Sequence, residues 1–287
     1  MVDEAYIPKK WFVEDGLCED ELRMLHADVG TVAQKCTGKA KKPVFLFPDK
    51  IVKGPWRPER EHQRINRELG RSELMACWSL PEYPSTVLQP SCFAEIPTGD
   101  VYLVWPALYP SEQAEKWVFQ PVCRNVSAVG PRQLRVVERA STGVIRVSDH
   151  VKKQPRYLFE HPECWEHLMH RYVLQAGDSG LHNMLIRPSD RRCIGIDYDE
   201  NRKDDAHCDD WFEMMFKAKP AKSIMPALLE SLQVHREHLR VVLTRLEESC
   251  ASKECQAIAE AHGLSFQLWG QRVARMKEVF ERLPVGE

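Results

Sequence analysis

Residues 30–56 alternate short apolar runs with turn-forming residues, reading GTVAQKC, TGKAKK, PVFLF, PDK and IVKGPW in succession. β-branched residues at period two, punctuated by Gly, Pro and Asp, predict three short strands in a meander. The period changes over residues 57–78, RPEREHQRINRELGRSELMACW, where Ile65, Leu69 and Ala76 mark one apolar face of a helix. Pro58 suits its first turn, and Pro81 and Pro84 close it. Two apolar runs, VLQPSCFAEI and VYLVWPALY, then flank Pro97-Thr98-Gly99-Asp100 and predict a hairpin. RQLRVVERA and GVIRVSDHV, around Ser141-Thr142-Gly143, predict another.

Residues 160–174 have helical composition, and Gly177 marks their end. NMLI and CIGIDYD, separated by Pro188-Ser189-Asp190, read as two short strands. From Trp211 onward the pattern is helical throughout, with LLESLQVHREHLRVVLTRL and FQLWGQRVARMKEVFERL carrying apolar residues at spacings of three and four. The expectation is an α+β chain of two lobes: residues 1–108 as an antiparallel sheet with one main helix, and residues 109–287 as a mostly helical unit.

Composition narrows the partners. Forty Lys and Arg against 42 Asp and Glu leave a formal charge of −2, so no global positive field draws in nucleic acid or anionic membrane. The opening residues lack an apolar signal core, and no run approaches the roughly 20 apolar residues of a membrane span. These features point to a soluble, intracellular, cytoplasmic protein, with the nucleus left open. The ten cysteines form no CxxC pair and read as reduced thiols, mostly buried. His161, Cys164, His167 and His170 in HPECWEHLMH have a spacing that could gather metal ligands, but Trp165, Leu168 and Met169 among them favour packing.

The stretch GDSGLHNMLI, residues 177–186, sets Asp178 and Asn183 five residues apart in a glycine-loosened loop ahead of an apolar strand. Asp197 follows in IGIDYDENR, at the end of the strand expected to pair with NMLI. Phosphoryl transfer from ATP needs a carboxylate to orient the attacking hydroxyl, oxygen ligands for Mg²⁺ and a cation on the phosphates. The D-x-x-x-x-N loop, the following hairpin and Ile196-Asp197 resemble the catalytic core of the protein-kinase-like fold. GDSGLHN with IDYDE is most similar to its aminoglycoside-phosphotransferase-like and phosphoinositide-kinase-like members. The motif spans residues 177–202, and element order extends the resemblance over most of the chain.

That resemblance implies Asp178 as the catalytic aspartate and Asn183 and Asp197 as Mg²⁺ ligands. It also implies a phosphate-binding lysine on the third strand, which is Lys53 in KIVKGPW, with Lys50 as the fallback on the other face. A helix glutamate should hold that lysine. Glu68 and Glu73 both flank the apolar helix face, and Glu73 is preferred. Adenine is expected against residues 104–108, including Trp105, Ala107 and Leu108. The chain departs from the family at the glycine-rich loop, where CTGKAKK stands instead. Gly38 and Lys39, among Lys35, Lys41 and Lys42, either hold phosphates or form a solvated basic turn. Tyr198-Asp199 replaces Phe-Gly, and Asp199 is a further candidate for the metal. Gly180 stands where a lysine is common, and no Ala-Pro-Glu follows.

Arg57, Arg60, Arg64, Arg67 and Arg71 recur at spacings of three and four, along a face read as opposite the helix's apolar side. An acidic protein, a phosphorylated lipid headgroup or an RNA backbone would suit such a stripe; otherwise it is a solvated face partly neutralised by Glu61 and Glu68. Two functions follow as expectations: an ATP- and Mg²⁺-dependent phosphotransferase acting on a hydroxyl of a protein, lipid or small molecule, or a catalytically inactive kinase-like module that binds an acidic partner through the stripe.

Overall fold

A computed structural model of the chain describes residues 44–46, 50–78, 92–95, 99–106, 118–119, 145–146, 162–177, 184–186, 193–195, 198–200, 214 and 225–283. Alternating residues first build β1 (Val44–Leu46) and β2 (Lys50–Trp56), followed by helix α1 (Pro58–Cys77) and then by β3 (Cys92–Glu95) and β4 (Val101–Pro106). The four strands pair antiparallel in the order β1-β2-β4-β3. β2 and β3 are therefore not neighbours, and α1 occupies the connection between them. The strand expected near residues 30–36 lies outside the described residues.

One irregularity in β2 sets side-chain direction. Lys53 pairs with Leu103, but Trp56 pairs with Val101, so three steps along β2 match two along β4. This extra residue is a β-bulge. Directly paired residues share a sheet face, and Leu103 and Val101 lie two apart on theirs, so Lys53 and Trp56 emerge on the same side. Simple alternation would have put them on opposite sides. Gly54 makes the bulge feasible: its φ is +157°, and a Cβ there would stand 2.7 Å from Tyr102 Cδ1.

A second sheet has the order β6-β5-β7-β8, built from β5 (Val118–Phe119), β6 (Ile145–Arg146), β7 (Met184–Ile186) and β8 (Cys193–Gly195). β7 and β8 form the expected antiparallel hairpin, with Met184 opposite Gly195. Ile145 and Arg146, in one arm of the hairpin expected around residues 141–143, pair in parallel with β5. The residues on the other side of that expected turn lie outside the described set.

Helix α2 (Pro162–Val173) is buried from Glu163 to Val173. The chain continues as α3 (Met225–Val234), α4 (Arg236–Ala251), α5 (Lys253–Ala261) and α6 (Gln267–Glu281); α4 and α6 pack on α2, while α5 packs on α1 and α4. Ser252 ends α4 in an extended conformation, and its side chain accepts a bond from Cys255 N to cap α5. Gly263, at φ +63°, lets the chain leave α5. Leu74, Met75 and Trp78 at the end of α1 join the same apolar core, where Trp78 meets Trp269 edge-on at 5.5 Å. Among the described residues no helix is long and apolar enough to cross a membrane, and Cys77, Cys164, Cys250 and Cys255 are free thiols.

Replacing Gly54 with alanine should lower stability in urea unfolding by about 1–3 kcal/mol, because the left-handed backbone and the Tyr102 contact both penalise a Cβ.

Candidate active site

The residues on either side of the aspartate–asparagine loop converge. The chain leaving α2 reaches Gly177 immediately before Asp178, and Gly177 N donates 2.7 Å to Glu200 O, three residues past Asp197. Arg171 Nη2 donates to Gly177 O at 3.0 Å, and its guanidinium lies 4.3 Å over the Tyr198 ring. On the other side of the loop, the β7–β8 pairing ties Met184, the neighbour of Asn183, to Gly195, two residues before Asp197. Asp178, Asn183 and Asp197 themselves lie outside the described residues, as do Gly38, Lys39, Ala107 and Leu108.

α1 clamps the segment that leaves Asp197. Glu68, 1% exposed, accepts a 2.6 Å bond from Tyr198 N. Arg67 Nε donates to Asp199 O at 2.9 Å, and Arg64 pairs with the Asp199 carboxylate while lying 3.7 Å from Glu200 Oε1. Arg71 is the centre of the clamp. Its guanidinium donates to Tyr198 O and Glu200 O at 2.6 Å, and to Leu174 O and Gln175 O at 3.1 Å. One side chain thus joins the end of α2 to the 198–200 segment. Burial, then the nearby Arg67 and Arg171 cations, push its pKa down to about 9, against Glu68 and Asp199, and it stays charged at neutral pH. Burial also lowers Arg67, with Asp199 opposing it.

These contacts bear on the readings of the stripe and of Asp199. The arginine stripe is not a face turned wholly to solvent: Arg71 is 1% exposed and Arg64 and Arg67 are engaged by Asp199, while Arg57 and Arg60 remain exposed. Glu68, expected to offset part of its charge, opposes the lowering of the Arg71 pKa while also holding Tyr198 N, and Glu61 accepts from Arg57 N. Asp199, considered for the metal, has its carboxylate on Arg64. The signal was present in the spacing: the stripe continues by three and four to Leu74 and Trp78, both fully buried core residues.

Of the two helix glutamates, Glu73 accepts from His262 Nε2 at 3.1 Å, on the side of α1 that meets α5. Glu68 is the one bonded to Tyr198 N, next to Asp197 in sequence. Lys53 is buried on β2, its Nζ 5.5 Å from the centroid of the Trp56 ring. Trp105 is buried on β4, opposite Ile51.

Below the clamp, Tyr198 Oη and His167 Nδ1 are 3.0 Å apart, and a Cβ on Gly195 would collide with both side chains. His170 packs edge-on against Trp78 at 5.5 Å and lies 3.9 Å from Glu166, which His238 approaches at 3.3 Å. Cys164, His167 and His170 of the HPECWEHLMH run are therefore buried in the core; His161 lies outside the described residues. Among the described residues no group of three His, Cys, Asp or Glu side chains is arranged to hold a metal ion. The chain matches no described protein family, no curated protein and no solved structure.

Arg71→Met leaves four carbonyl oxygens without their charged donor, so stability in urea should fall by about 3 kcal/mol or more, and Arg71→Lys should recover only part of it.

Burial, then Arg171 and His170, hold the His167 pKa well below 6.5, and burial lowers His170 with Glu166 opposing. Both imidazoles take up a proton more readily after unfolding than in the folded chain. Their contribution is therefore present above pH 6.5 and is lost as the pH falls below it, with a limiting slope of about 1.4 kcal/mol per histidine per pH unit. Urea unfolding between pH 7.5 and 5.5 should show this slope, and His170→Gln should reduce it.

Proposed function

We propose that the chain is an ATP- and Mg²⁺-dependent phosphotransferase with a two-lobed protein-kinase-like fold, acting on a hydroxyl group. The supporting observation is the convergence of segments flanking the three motif residues: Gly177 bonded to Glu200, Met184 paired with Gly195, and Tyr198 held by Glu68. The helix carrying Glu68 follows directly on the strand carrying Lys53, so the lysine strand and the motif segments share one support.

When bound, ATP with Mg²⁺ supplies the transferable phosphoryl group and neutralises its charge. The chain's own part is positioning. Asp178 orients the acceptor hydroxyl and receives its proton. Asn183 and Asp197 offer one amide and one carboxylate oxygen, a hard donor set that fits Mg²⁺. Lys53 would meet the phosphates with its ammonium, Gly38 and Lys39 would add backbone N–H groups and charge to them, and Trp105, Ala107 and Leu108 would receive the adenine. Glu68 and Arg71 fix the backbone just after Asp197. The alternative, an inactive module docking an acidic partner on the arginine stripe, draws less support, because Arg64, Arg67 and Arg71 are already engaged within the chain.

Purified protein should release phosphate from ATP in the presence of Mg²⁺, and Asp178→Asn should slow this about 10²–10⁴-fold with little loss of ATP binding. Lys53→Met should raise the KM for ATP. A chain with no turnover and no ATP-dependent thermal shift would refute this function.

A further inference from the structure

Trp56 occupies an unusual position between the two halves of the proposed site. The β2 bulge brings it to the Lys53 side of the sheet, where it has no solvent exposure. Its Nε1 donates to Lys53 O at 3.0 Å, which pins the indole to the strand that carries the lysine. Two cations share its ring: Lys53 Nζ at 5.5 Å and the Arg64 guanidinium at 5.3 Å from the centroid. Indole is the strongest aromatic partner for a cation, and desolvation strengthens the contact.

Two like charges at one ring repel each other. Arg64 relieves that repulsion because its guanidinium is paired with Asp199, 1% exposed and two residues past Asp197. Contacts run without a gap from Lys53 to Trp56, to Arg64, to Asp199.

We propose that Trp56 and Arg64 are positioning residues that tie the Lys53 ammonium to the segment following Asp197, so that phosphate binding at one and metal binding at the other are coupled. The coupling to ligands rests on the phosphotransferase function proposed above; the tie between the side chains does not. Its origin is the extra residue in β2, since regular alternation would turn the indole away from Lys53.

The test uses the full chain as wild type, Trp56→Phe, Arg64→Gln, Arg64→Lys and the Trp56→Phe/Arg64→Gln pair. ATP affinity is measured by titration calorimetry with and without Mg²⁺, and stability by urea unfolding. In the wild type Mg²⁺ should tighten ATP binding. That gain should shrink by about threefold or more in both Trp56→Phe and Arg64→Gln, with unchanged circular dichroism, and Arg64→Lys should restore part of it. In urea, the double variant should lose less than the sum of the single losses. An unchanged Mg²⁺-linked gain in both single variants overturns the proposal, as do additive losses in urea. The urea arm remains readable if wild-type protein binds no ATP, in which case the phosphotransferase function falls while non-additive losses still support the tie between Trp56 and Arg64.

Discussion

The arrangement around the candidate site depends on one buried guanidinium. Isolated positive charge is costly inside a protein, and Arg71 is tolerated because its N–H groups meet four backbone carbonyls from two segments far apart in sequence. Those carbonyls would otherwise need partners of their own, at the end of α2 and in the irregular 198–200 turn. Donor and acceptors therefore satisfy one another, and the two chain segments that border the D-x-x-x-x-N loop and Asp197 are brought into register by the same group. Arg67 and Glu68, from the neighbouring positions of α1, fix the intervening backbone through Asp199 O and Tyr198 N.

Small and neutral groups complete the floor beneath this clamp. Gly195 leaves room for the Tyr198 phenol and the His167 imidazole, which face each other at 3.0 Å. Burial keeps that imidazole uncharged, and the Arg171 cation, which lies over the Tyr198 ring, adds to the effect.

Much of this framework could be read from alternation and punctuation alone. The strands at 44–46, 50–56 and 101–106, the helix from Pro58, and the 184–186 and 193–195 hairpin all follow period-two or helical spacing bounded by Gly, Pro, Ser and Asp. What could not be read is what covers each face. A stripe of arginines has the same spacing whether water or carbonyl oxygens meet it. Glu68 and Glu73 both border the apolar face, yet five residues of helix turn them roughly 140° apart, one toward Tyr198 and the other toward His262. The direction of Trp56 escaped for another reason: a period-two count over KIVKGPW has no way to register an inserted residue, and that residue decides which side the indole takes. The motif residues Asp178, Asn183 and Asp197 were legible only through resemblance, whereas the residues that support their flanks became evident from contacts.

Gly70 extends the picture to the far end of the chain. A Cβ at this position would come within 2.5 Å of His262, so α1 lies directly against the end of α5, with Glu73 and His262 bonded alongside. The C-terminal helices are consequently a wall behind α1 rather than an appendage. A protein shortened before about residue 253 would still contain every arginine of the clamp, yet the helix presenting them would have lost its backing.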